Sequence, residues 1–170
     1  TICIGTVKSL EKKYGINYLI EAFEIIKLQK VDAELMIVGT GSLHKKLAKQ
    51  AENTGFNNNI TFSGKVSNYD VVNYLHKIDI FVVPSISESE TFGVAAVEAS
   101  ACSIPVVASN IGGLSEVVLN EKTGILVPPG NVKALVSSIL LLIRSPELRL
   151  KLGNRSEERR VGKERRSRWS

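Results

Sequence analysis

Three features of the 170-residue chain predict an α/β fold: a doubly wound, Rossmann-like parallel sheet with helices on both faces. Short β-branched apolar stretches alternate with helical patterns along the chain, and glycine-rich loops follow the apolar stretches. No apolar run approaches the roughly 18 residues of a membrane span, the nearest being Leu135–Ile143. With 44% hydrophobic and 23% charged residues, the composition suits one globular domain with a sizeable core. The length excludes a two-domain enzyme.

The first strand is predicted at Thr1–Val7, and because the chain opens inside a strand pattern, further residues are expected ahead of it. Leu19, Ile20, Phe23, Ile25 and Ile26 then form one helical stripe. A strand at Glu34–Val38 leads to a second helix marked by Leu43, Leu47 and Ala51 at a spacing of four. Strand Ile60–Ser63, helix Tyr69–His76, strand Ile78–Val83 and helix Phe92–Ala101 follow. Strand Pro105–Ala108, helix Leu114–Leu119 and strand Gly124–Val127 complete the alternation. Asn131, after Pro128-Pro129-Gly130, is placed to cap a last helix over Val132–Ile143. Right-handed crossovers distribute these helices over both faces of the sheet.

The net charge of +5 is unevenly spread. Residues 155–170 hold seven Arg or Lys and three Glu, whereas residues 1–154 hold 15 basic and 14 acidic groups. The division predicted is therefore a Rossmann-like domain at 1–154 and a basic tail at 155–170, disordered or a fusion or frameshift scar. Such a tail as a nucleic-acid arm is the weakest of three functional readings, and no nucleic-acid partner is expected. Cys3 and Cys102 lie far apart without a CxxC spacing, as in a reduced, cytoplasmic protein.

In sheets of this kind ligands sit outside the carboxyl ends of the strands. The loop Gly39-Thr40-Gly41-Ser42 follows a strand, but His44 stands at the third glycine place of a dinucleotide fingerprint. Its glycines serve either a tight turn or the approach of a phosphate. A Walker A loop is absent. The segment from Pro84 to Ala99 is more informative. Amides of Phe92, Gly93 and Val94 at the start of a helix form an anion seat, and Gly93 removes the β-carbon that would keep a phosphate away. Glu90 and Glu98 flank that seat with carboxylates about 10 Å apart at 1.5 Å rise per residue. A diphosphate with a hydroxyl-bearing ring at each end fits between them. The plainer alternatives are a helix-start acid at 90 and a solvated helix acid at 98. A hydrolase pair, which needs both carboxyls facing one bond, fits less well.

The run from Glu90 to Ala99, preceded by Pro84-Ser85 and followed by Ile104-Pro105-Val106-Val107-Ala108-Ser109 and Gly112-Gly113, resembles the Glu-x7-Glu block of group 1 (family 4) retaining glycosyltransferases of GT-B fold. Gly5, the run Gly15 to Phe23, Val38-Gly39-Thr40-Gly41, Phe62-Ser63-Gly64-Lys65-Val66 and Thr123-Gly124-Ile125-Leu126-Val127 arrive in that family's order. The similarity covers residues 1–154.

The resemblance implies the C-terminal, donor-binding half of such an enzyme. A separate N-terminal domain would hold the acceptor, and this piece alone would bind nucleotide without transferring sugar. It implies a nucleotide-diphosphate sugar as donor, no metal or other cofactor, and a glycan or lipid-linked acceptor. It also implies work in polysaccharide or glycolipid assembly, with peripheral contact at the inner face of the membrane. Glu90 would hold donor sugar hydroxyls beside the reacting carbon, and Glu98 the ribose. Thr91, Phe92, Gly93 and Val94 would seat the diphosphate, Lys65 and Val66 would flank the base, and Gly5, Thr6, Gly39 and Gly41 would line the donor site. The family usually carries an Arg after the first-strand glycine and a Lys before the glycine matching Gly15. This chain has Thr6 and Tyr14 there, so Lys8 and Lys13 in the longer intervening loop are expected to supply the charge. Cys102 stands where the family often has Gly, a packing change.

Among other residues, His44 and His76 read as surface or packing residues, and Asp79 as a cap of the turn before its strand. Glu116 is placed either to touch a donor or to begin a helix. The alternative to the glycosyltransferase reading is a non-catalytic Rossmann-like nucleotide-binding or scaffold module.

Overall fold

The computed structural model describes residues 1–89 and 94–155. Strands β1 (Ile2–Val7), β2 (Ala33–Val38), β3 (Ile60–Gly64), β4 (Ile80–Val83), β5 (Val106–Ser109) and β6 (Gly124–Val127) form one sheet in the order β3-β2-β1-β4-β5-β6. Every pairing is parallel, with Gly5 of β1 beside Met36 of β2 and Phe81 of β4. Each predicted strand is present, its ends within two residues of those read from the sequence. The order reverses between β1 and β4, which opens a crevice at their carboxyl ends.

Strand periodicity builds a core on each face. Ile80 and Val82 of β4 point with Ile4 and Val107 into one core, whereas Phe81 and Val83 point with Cys3, Val106 and Ala108 into the other. The first core is closed by α1 (Ile16–Leu28), α2 (His44–Asn53) and α6 (Val132–Arg144), with Phe23 fully buried in it. The second is closed by α3 (Val71–Leu75), α4 (Val94–Ala101) and α5 (Leu114–Val117). Central strands with both faces covered read as continuous apolar runs for this reason.

In α1 the buried stripe is Ile16, Leu19, Ile20, Ala22, Phe23 and Ile26, whereas Ile25 of the predicted stripe faces solvent. In α2 Leu47 and Ala51 are buried as the spacing predicts. Asn131 caps α6, its side-chain oxygen accepting the amide of Ala134 at 2.9 Å. A further helical segment covers residues 146–155. Its Gly153 lies against the loop after α4, where a β-carbon would come 2.0 Å from the carbonyl oxygen of Ser103.

Candidate functional site

Four loops meet at the carboxyl edge of the sheet. The loop after β1 lies along the loop after β2: the amides of Lys8 and Leu10 donate to the carbonyls of Val38 and Thr40, both at 3.0 Å, and Leu43 donates back to Leu10 at 2.9 Å. A β-carbon at Gly39 would lie 2.1 Å from the Lys8 carbonyl oxygen, and one at Gly41 2.5 Å from that of Leu10. Close backbone packing therefore accounts for both glycines. Glu11 fastens the same pair of loops, one carboxylate oxygen accepting the Ser42 amide at 3.0 Å and the other the Ser42 hydroxyl. Those hydrogen bonds hold its carboxyl below the ordinary range.

The loops after β1 and β4 join across the crevice. Gly15, at φ 64°, ends the short 3-10 turn Lys12–Tyr14 and begins α1. A β-carbon there would lie 2.0 Å from the Pro84 carbonyl oxygen, and the Ile86 amide donates to Lys13 at 2.9 Å. Beside this junction the Lys8 and Lys13 ammonium nitrogens stand 4.5 and 5.1 Å from the centre of the Tyr14 ring. Sequence reasoning noted Tyr14 only as a departure from a family pattern. The sequence signal is the run Lys12-Lys13-Tyr14-Gly15, an aromatic residue between lysines and a glycine.

After β3, the Gly64 carbonyl accepts the Gly39 amide at 3.0 Å, so Lys65, exposed, and Val66, half-buried, leave the sheet next to the β2 loop. Glu98 lies on α4 with Val97 on its solvent side, while Ala96 and Ala99 are buried. Glu90, Thr91, Phe92, Gly93 and the side chain of Val94 lie outside the described residues. Gly5 and Thr6 are interior: a β-carbon at Gly5 would meet the Ile78 side chain at 2.4 Å, and Thr6 is 2% exposed.

Asp79 does not cap its own turn. Its carboxylate accepts the Cys3 amide at 2.8 Å and its own amide donates to the Cys3 carbonyl at 2.8 Å, extending the contact between β1 and β4. His44 packs edge-on against Phe62 with ring centres 5.5 Å apart, as a packing residue does, and its Nδ1 is buried without a hydrogen-bond partner. A second concavity, of about 370 Å³, opens at the amino edge beside Asp79, Cys102 and Arg149. Arg149 is committed there to structure, donating to the carbonyls of Leu142 and Ile143 at the end of α6. Among the described residues no cluster of three His, Cys, Asp or Glu side chains could hold a metal ion, and no helix is long and apolar enough to cross a membrane.

Residues 2–159 match the family profile of glycosyl transferases group 1. The chain belongs to this family. It is 31% identical over 159 residues to the capsular polysaccharide biosynthesis glycosyltransferase CapM of Staphylococcus aureus, covering 92% of this chain and 40% of CapM. Anabaena Alr3699/HepE, solved in complex with UDP, superposes with a TM-score of 0.84 at 25% identity, covering 93% of this chain and 43% of HepE. The C-terminal domain of the group 1 protein LpcC from Francisella tularensis has the same fold, with a TM-score of 0.84 at 24% identity over 92% of this chain and 83% of that domain. The chain spans about 40% of the length of the first curated relatives it matches.

Proposed function

We propose that this chain is the donor-binding, C-terminal half of a retaining glycosyltransferase. It takes a nucleotide-diphosphate sugar and passes the sugar to a glycan or lipid-linked acceptor held by a second domain, in the cytoplasm at the inner face of a membrane. The observation that carries this reading is the crevice at the β1/β4 reversal, where the loop bearing Lys8 and Lys13 meets the loop leading to the Glu90–Glu98 block. Family membership and the UDP complex of HepE support it.

In this reading Glu98 binds the ribose hydroxyls, Lys65 and Val66 flank the base, and Glu90 holds the sugar beside the reacting carbon. The amides of Phe92, Gly93 and Val94 and the ammonium groups of Lys8 and Lys13 receive the diphosphate. Charge building on the leaving diphosphate is met by these fixed donors and cations, so transfer is driven by electrostatic stabilisation of the transition state. The domain boundary falls near residue 154.

Calorimetric titration with UDP, GDP and ADP tests the reading. One nucleotide binds, and Glu98→Ala weakens it by about 1 kcal/mol or more, the scale of a lost charged hydrogen bond. Failure of all three to bind, or binding indifferent to Glu98→Ala, favours a non-catalytic module and removes the residue assignments.

A further inference from the structure

We propose that the Glu11 carboxylate stands, as an anion of the chain itself, where the glycine turn after β2 would otherwise take a phosphate. It thereby limits the diphosphate of a nucleotide to the crevice between β1 and β4, a limit that rests on the donor-binding reading above.

The turn Gly39-Thr40-Gly41-Ser42 leads from β2 towards α2, the layout in which a dinucleotide-binding sheet lays a pyrophosphate on the amides after its second glycine. Each of those amides already has a partner in this chain. Ser42 donates to one Glu11 carboxylate oxygen at 3.0 Å, Leu43 to the Leu10 carbonyl at 2.9 Å and His44 to the Gly41 carbonyl at 3.2 Å. The other Glu11 oxygen accepts the Ser42 hydroxyl. An oxyanion held at once by a backbone amide and a hydroxyl just ahead of a helix has the partners that a phosphate oxygen would have there.

The two glycines deliver the carboxylate to this position. Gly39 and Gly41 lack the β-carbons that would strike the carbonyls of Lys8 and Leu10, so the space that admits a pyrophosphate elsewhere admits the backbone of residues 8–10, and Glu11 follows directly. The Ser42 hydroxyl first and the Ser42 amide second, with a smaller part from Lys13, hold the carboxyl below its ordinary range, so it is charged at neutral pH. A phosphate brought to the same amide must displace that charge or meet it at contact distance, where like charges repel most strongly.

The test follows the Ser42 amide by NMR in the whole 170-residue chain and in Glu11→Ala while inorganic phosphate replaces chloride at constant ionic strength. The expected result is a saturable shift of that amide in Glu11→Ala and none in the parent. Were Glu11 only a fastening between loops, its removal would loosen them without making Ser42 respond to phosphate, so an unresponsive Ser42 in Glu11→Ala overturns the proposal. A Ser42 amide that shifts saturably with phosphate in the parent also overturns it, and that measurement needs no variant. A parent chain that binds none of UDP, GDP and ADP overturns the donor-binding reading and the limit drawn from it, while the occupation of the turn by Glu11 is still decided at Ser42.

Discussion

Gly15 and Pro84 meet across the crevice so closely that a β-carbon on Gly15 would lie 2.0 Å from the Pro84 carbonyl oxygen. Gly15 also holds a left-handed φ of 64°, which costs other residues about 1–2 kcal/mol. Gly15→Ala therefore has two reasons to fail, and its partner in the clash is backbone that cannot rotate away. The expected loss is about 2–4 kcal/mol of unfolding free energy in urea titration, with weaker nucleotide binding because the loops after β1 and β4 part.

Asn131 is the cap of α6, the helix whose Leu135, Ile139 and Leu142 close the core over α1. Its side chain satisfies the Ala134 amide, one of the donors that a helix start leaves unpaired. Asn131→Ala is expected to cost about 1 kcal/mol, read as a fall in thermal midpoint of about 2–4 °C. Asn131→Ser, which keeps an acceptor, retains most of that stability.

The strands and the helix faces were legible because burial on both sides of a parallel sheet writes a local pattern into the chain: Ile80 to Val83 are all apolar, and Leu47 and Ala51 recur at one turn. Ile25 shows the limit of such patterns, since an isoleucine beside a stripe sits at its edge and here faces solvent. Contacts between loops were not legible. Gly39 and Gly41 are glycines because of the backbone at residues 8–10, and Asp79 answers to Cys3, 76 positions away. Nothing in the local sequence of either partner encodes such a meeting. The two lysines of the β1 loop were found as charges, but only the folded loop brings them to Tyr14.

The two cysteines differ in reactivity for a physical reason. Cys3 is buried in β1, and burial, with Glu34 and Asp79 nearby, pushes its thiol up to about 12. The thiolate is the reacting form, so Cys3 is inert in the folded protein at neutral pH. Cys102 is half-buried at the end of α4. A thiol reagent under native conditions is expected to modify one cysteine, Cys102, with Cys3 following only as the chain unfolds. Because the folded thiol titrates above the unfolded one, Cys3 contributes stability that is complete below about pH 9 and declines as the pH rises towards 12.

Glu11 acts at the opposite end of the pH scale. Its carboxyl is lowered from 4.5, first by the Ser42 hydroxyl and then by the Ser42 amide, with a smaller contribution from Lys13. A lowered acid binds protons less readily folded than unfolded. The link between the β1 and β2 loops is thus at full strength above the unfolded value and is lost as the pH falls through the folded one. Asp32, lowered by Thr1, acts in the same direction, so the comparison must be made between variants that share it. In Ser42→Ala, NMR titration is expected to move the Glu11 carboxyl up towards 4.5, and the fall of unfolding free energy below that pH becomes shallower than in the parent. Glu11→Gln keeps an acceptor for Ser42 but cannot ionise, and removes the same part of the slope.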